Sequence, residues 1–272
     1  MLSKTSRVLT YAAAALYGVL GAVLFLRPEQ IAPIFAWKVT SFMTMTIGGW
    51  CLGNAWLAYF AARRWNWKFI YPALVYLWSF GILESLVVIL FRSKLQLGSP
   101  VAWLYLAALA VTVVAAVVGF VDWLRLRPAR SSTKNATFTV RFWMFGFVVF
   151  VGFLGLYGLL APVGAFGTNG QIFPEVMSSF TLKSFGAFYL SLTIGMIPAL
   201  FDQDYTPFLS YAYLAFGLIV MVTTAAFVYL RLFNFHRHPG EYAYFGAYLL
   251  AAVISVFYFW RRGTGNPASP GM

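Results

Sequence analysis

The sequence predicts an all-α integral membrane protein of eight transmembrane helices, arranged as two parallel, pseudo-twofold-related four-helix repeats. Three observations carry this prediction. The 272 residues are 61% hydrophobic and only 10% charged, and the apolar residues come in long runs. Soluble domains average about 25% charged residues, so a water-exposed surface cannot be built from this composition. The second observation is a collinear internal repeat. Leu16-Tyr17-Gly18-Val19-Leu20 returns as Leu156-Tyr157-Gly158-Leu159-Leu160, and Ile34-Phe35 returns as Ile172-Phe173. Ser41-Phe42 with Gly48 returns as Ser179-Phe180 with Gly186, and Phe80-Gly81-Ile82-Leu83 as Phe216-Gly217-Leu218-Ile219. The offset drifts only from 140 through 138 to 136. The third observation is the placement of Lys and Arg. Most of the 19 fall in loops on one side, among them Arg63, Arg64, Arg125, Arg127 and Arg130.

Eight runs are long enough to cross a hydrocarbon core, which takes about 20 helical residues. They lie near 8–26, 39–62, 68–91, 101–124, 140–162, 178–200, 207–231 and 242–260. Their apolar character is uninterrupted, whereas the strands of a membrane barrel alternate. The first run is read as a span and not as a cleaved leader: Val8 to Leu26 is long enough to cross, shows no cleavage pattern and has a counterpart in the second half. Residues 1–128 form the first repeat and 140–262 the second. The stretch 129–139, with Arg130, Ser131, Ser132 and Lys134, is the cytoplasmic linker, and the Gly/Pro-rich 263–272 is a flexible cytoplasmic tail. The glycines and prolines between Ala161 and Met177 argue against a continuous helix there.

The basic bias places both termini and the linker in the cytoplasm, and the chain in the plasma (inner) membrane if bacterial. An even number of spans per half gives both halves the same orientation, so the repeat axis runs along the membrane normal. Tryptophans near the ends of the runs, including Trp37, Trp65, Trp67, Trp103 and Trp143, are expected in the headgroup layer. The net charge of +12 resides in loops and not on a basic face, which points to anionic lipid and away from nucleic acid.

Few polar residues lie inside the runs, and each calls for a reason. Glu84 sits roughly 10 Å below the outer end of the third span, counting 1.5 Å per residue. A carboxylate there needs a partner, a cavity or a proton. Lys183 enters the sixth span at a comparable depth, either snorkelling to the surface or pairing with Glu84 across the halves. Thr40, Ser41, Thr44 and Thr46 open the second span, and Ser178, Ser179, Thr181 and Ser184 open the sixth at equivalent repeat positions. Two such clusters either line a cleft between the halves or form a close packing seam. Asn54 extends the first cluster inward. Asp122 is expected to pair with Arg125 one turn on, and Asp202 and Asp204 to be solvated.

No histidine lies within a span. There is no paired-cysteine motif around the lone Cys51, no phosphate-binding glycine loop and no nucleophile elbow. The sequence therefore points to no metal, no cofactor and no recognisable catalytic centre. The leading expectation is a protein that binds or transports a small or amphipathic molecule at the interface of the two repeats, with Glu84, Lys183 and Asn54 as ligand- or ion-coupling residues and the hydroxyls as cleft lining. Its partners are the membrane lipids. The alternative is a non-catalytic accessory subunit of a larger membrane complex, with other membrane subunits as partners.

Overall fold

The computed structural model describes the chain except for residues 129–137, 166, 167, 169, 170, 173, 203–205, 243, 247, 250, 254, 255 and 257–272. Most of the expected linker, the expected tail, Asp204 and much of the eighth run lie outside the described residues. The described chain is helical, with no β-strand among the described residues. In order it forms α1 (Lys4–Leu26), the short α2 (Pro28–Ile31), α3 (Ser41–Arg64), α4 (Trp67–Leu90), α5 (Pro100–Leu126), α6 (Phe138–Leu160), α7 (Ser179–Leu200) and α8 (Thr206–Val228). Six of these, α1 and α4 to α8, are long and apolar enough to cross a membrane. A shorter apolar helix, Tyr244–Val253, falls in the eighth run.

The helices start where side chains can take up their free N–H groups. Ser3 caps α1, Thr40 caps α3, Ser99 caps α5 and Ser178 caps α7, each accepting from the backbone N–H three residues on. Pro100 follows directly as the first residue of α5, where a missing N–H costs nothing.

Helix α3 differs from the other long helices. At 24 residues it matches α4 in length, but it carries Ser41, two threonines, three glycines and Asn54 and is less apolar. Two thirds of its residues are nevertheless buried. It runs along α1 on one side and α8 on another, so protein and not lipid surrounds it. A helix enclosed by its neighbours does not need an apolar surface all round.

Helix α1 packs along α3 and α5, and α6 packs along α7. The two halves meet through α4 on α7, α3 on α8 and α4 on α8. Local geometry recurs across the chain at a spacing of 138 residues. Helix α3 begins at Ser41 and α7 at Ser179; α4 ends at Leu90 and α8 at Val228. Each of the latter pair is followed by a 3-10 turn, Arg92–Lys94 and Leu230–Leu232. The residues before these turns have nearly identical backbone angles, φ −103°, ψ 21° at Phe91 and φ −102°, ψ 25° at Tyr229.

The end that holds the N-terminus is laced by hydrogen bonds. Asp122 accepts from the Ser3 backbone N–H at 3.0 Å and from the hydroxyls of Ser3 and Ser6. Beside the expected attraction of Arg125, the carboxylate faces the positive end of α1 and ties α5 to it. Asp202 is likewise engaged, accepting from the Tyr71 hydroxyl. Trp65 donates to the Leu2 carbonyl and is buried, as are Trp37 and Trp67, whereas Trp103 and Trp143 face outward. Only the latter two have the exposure that a headgroup position requires.

The α6–α7 crossing is set by backbone-to-backbone approach. A Cβ at Gly186 would lie 2.5 Å from the Leu159 nitrogen and 2.6 Å from the Gly158 carbonyl carbon. Gly186→Ala should therefore lower stability by about 1–3 kcal/mol, the usual cost of overpacking. Gly146→Ala on the open face of α6, where nothing lies within 4 Å, should not destabilise. Thermal unfolding in mild detergent compares the two.

Candidate functional site

Helix α4 carries Tyr76, Phe80 and Glu84 at four-residue spacing, which puts them on one stripe. That stripe meets α7 closely, because Gly195 admits the Pro72 carbonyl and Tyr76: a Cβ at Gly195 would lie 2.7 Å from the Pro72 oxygen. On α7, Ser184 and Phe188 share a face by the same spacing. The outcome is a hub at Glu84. Its Oε1 accepts from the Tyr105 hydroxyl of α5 at 2.6 Å and from the Ser184 hydroxyl of α7 at 2.8 Å. Its Oε2 is buried and has no hydrogen-bond partner among the described residues. Glu84 as a whole is 2% exposed.

A layer of aromatic rings adjoins this hub. Trp37 stacks on Phe180 with centroids 4.3 Å apart and contacts Tyr105 at 5.3 Å. Phe35 packs against both Trp37 and Tyr105. The Trp37 indole donates to the Thr181 hydroxyl at 3.2 Å. The segment Phe35-Ala36-Trp37 is a loop, yet it is buried. Gln96 N–H donates to the Ala36 carbonyl and the Ser99 hydroxyl to the Ile34 carbonyl, which holds the segment in place.

The next residue, Lys38, opens onto a cleft of about 640 Å³ at the end of the bundle opposite the N-terminus. Its walls include Glu29, Thr40, Ser41, Gln96, Glu175, Tyr229 and Arg231. The Thr40 hydroxyl donates to the Glu175 carboxylate while accepting from the Met43 N–H. The segment 35–38 thus runs from the Glu84 hub to the cleft wall.

The structure distributes the expected site residues among three surroundings. Thr40 and Ser41 line the cleft. Thr181 and Ser184 belong to the Trp37 and Glu84 contacts. Thr44 and Thr46 are fully buried and donate to the Thr40 and Phe42 carbonyls of their own helix at 2.8 and 2.9 Å, so they act in packing. Ser178 caps α7 and contacts Thr181, while Ser179 is a half-buried first residue of that helix. Asn54 accepts from the Tyr76 hydroxyl at 2.6 Å, and its amide nitrogen has no partner among the described residues. The two clusters therefore do not line one cleft together.

Of the two expected settings for Lys183, the pairing with Glu84 does not form. Its ammonium donates to the Ala161 carbonyl at 2.8 Å, just past the end of α6, where a helix C-terminus favours a cation. The contact to Glu84 comes from Ser184, one residue on and about 100° round the helix. Tyr105, Trp37 and Glu175 were not legible as site residues. Each acts through a contact distant in sequence. No known protein family, curated protein or solved structure matches the chain.

Two outcomes follow from these contacts. Tyr105→Phe withdraws a donor from a buried carboxyl and should cost about 1–3 kcal/mol, whereas Thr44→Val leaves the helix carbonyl bonded by its backbone partner and should cost below about 1 kcal/mol. Unfolding in detergent measures both. The other concerns Glu175, whose carboxyl is pushed above its ordinary 4.5 by burial, with the Thr40 hydroxyl acting in the opposite sense. A carboxyl raised in the folded state holds its proton more tightly there than in the unfolded chain. Its contribution to stability is present below the unfolded value and is lost as pH rises through the shifted one. The stability difference between wild type and Glu175→Gln should therefore fall as pH rises from about 4 to about 7. A difference that stays flat or rises contradicts the assignment.

Proposed function

We propose that this protein binds or transports a small or amphipathic molecule at the interface of two parallel four-helix repeats. In this reading the repeats comprise α1, α3, α4 and α5, then α6, α7, α8 and a last helix that begins near Tyr244. Helix α3 crosses the membrane with the six apolar ones, sheltered by its neighbours. The packing favours the repeat: α4 lies on α7 as α8 lies on α3, and α4 meets α8, the pattern a twofold axis along the membrane normal generates. The recurring caps and 3-10 turns at a spacing of 138 favour it too. The positive-inside bias then puts both termini in the cytoplasm and the 640 Å³ cleft on the outer face.

One observation carries the functional reading: Glu84, buried where α4 and α5 of the first repeat meet α7 of the second, keeps one carboxylate oxygen without a partner. An enclosed carboxylate of this kind attracts a cation, a proton included, and intramembrane acids mark ion and substrate pathways. The outer cleft is the entrance, the Phe35–Trp37 segment with Phe180 closes the way inward, and Glu84 is the coupling group. The anchored Lys183 takes no part as its counter-charge.

The test uses proteoliposomes loaded with a pH-reporting dye and challenged with amines, amino acids, sugars and organic acids. At least one solute should move protons with the wild type, and Glu84→Gln should reduce that flux at least about tenfold while the protein stays folded. The amide keeps an acceptor for Tyr105 and Ser184, so folding is not at stake. Undiminished flux in Glu84→Gln overturns the coupling role.

The accessory-subunit reading has one observation in its favour. Helix α6 leaves Phe142, Trp143, Phe145, Phe150 and Phe153 exposed, an aromatic face that a partner helix could cover. Stoichiometric membrane partners retained in native mass spectrometry, together with no solute flux, would favour it.

A further inference from the structure

The cleft at the outer end carries chemistry that Glu84 does not use. It presents two carboxylates, Glu29 and Glu175, and two cations, Lys38 and Arg231. The four charges balance, so the cleft exerts no net pull on an ion of either sign. It offers instead a pair of opposite poles within one concavity. Its volume of about 640 Å³ lies within the range of small-molecule sites, about 300–1,000 Å³.

The four charged groups share their cleft with the Ser41 hydroxyl and with one buried phenol, Tyr229, which is 6% exposed. Phe42 packs edge-on against the Tyr229 ring at 5.8 Å and supplies apolar wall beside it. Glu175 is oriented by the Thr40 hydroxyl, and Thr40 is itself fixed as the cap of α3. One carboxylate is therefore held in place beside a buried phenol, while Lys38, Arg231 and Glu29 are exposed and can close on a ligand. A simple cation would meet Lys38 and Arg231, and a simple anion would meet Glu29 and Glu175. Only a molecule carrying both charges matches all four.

We infer that the outer cleft binds a zwitterion with a primary ammonium and an anionic group, the ammonium toward Glu175 and Glu29 and the anion toward Lys38 and Arg231. This deepens the proposed function by naming the ligand class at its entrance. The same chemistry occurs in the phosphoethanolamine headgroup of a membrane lipid and in a soluble amino acid or short peptide.

Isothermal titration of the full chain in mild detergent at low ionic strength decides the matter. The probes are glycerophosphoethanolamine and alanyl-alanine, with ethylamine and glycerol phosphate as single-charge controls. At least one zwitterion should bind at least about tenfold more tightly than either control. Binding of glycerophosphoethanolamine alone identifies a lipid headgroup site, and binding of alanyl-alanine alone a soluble one. Lys38→Gln and Arg231→Gln alter exposed side chains and should each weaken binding about tenfold or more; Glu175→Gln, which keeps an acceptor for Thr40, should do the same. Zwitterions that bind no better than the controls overturn the inference, and so does affinity unchanged in all three variants. Glu84→Gln flux is read separately, so the ligand class can fail while the coupling role stands, and the reverse.

Discussion

A carboxyl group enclosed in an apolar bundle must be given donors, and the arrangement around Glu84 answers that demand. Tyr105 comes from α5 and Ser184 from α7, so one side chain of α4 fastens three helices. The contact crosses from one half of the chain to the other. Moving α7 by a single turn would strand the carboxyl with one donor, at a cost comparable to a lost buried hydrogen bond. The close approach at Gly195 and the aromatic contacts of Phe80 and Phe188 follow the same α4–α7 seam. Oε2, without a partner among the described residues, leaves this seam chemically open.

The core of the bundle is also where its polar residues gather. Helix α3 holds Thr44, Thr46, Trp50, Cys51 and Asn54 in buried positions. The threonines are satisfied by their own helix, and the Asn54 carbonyl oxygen by Tyr76. The lipid-facing helices α5 and α6 show the reverse, with large apolar side chains exposed along their length. Polarity inside and apolarity outside is the pattern expected where hydrocarbon is the solvent, because a polar group finds partners only in the protein.

Between the cleft and the Glu84 hub lies a short loop that behaves as core. Phe35, Ala36 and Trp37 are enclosed, and their neighbours Ile34 and Lys38 are exposed. Irregular backbone at this depth survives because Gln96 and Ser99 pair with its carbonyls. The same segment touches Tyr105 on one side and the cleft on the other. It therefore joins the two chemical features of the molecule physically and separates them sterically.

Much of the helical framework was legible in the sequence, since a segment that crosses hydrocarbon must be long, apolar and internally bonded whatever surrounds it. The hydroxyl clusters that hold the caps Thr40 and Ser178, the depth of Glu84 and the 138-residue spacing are all properties of residue order alone. What only the tertiary structure decided is rotation and pairing. When a helix is apolar all round, its periodicity does not say which face looks inward. Hence Ser184 and not Lys183 meets Glu84, Thr44 and Thr46 turn to their own backbone, and Asp122 reaches Ser3 across 119 residues. Tyr105, Trp37 and Glu175 gain their roles from neighbours distant in sequence. Length and hydropathy are local properties and are written in the chain; which donor meets which acceptor depends on how several helices pack at once.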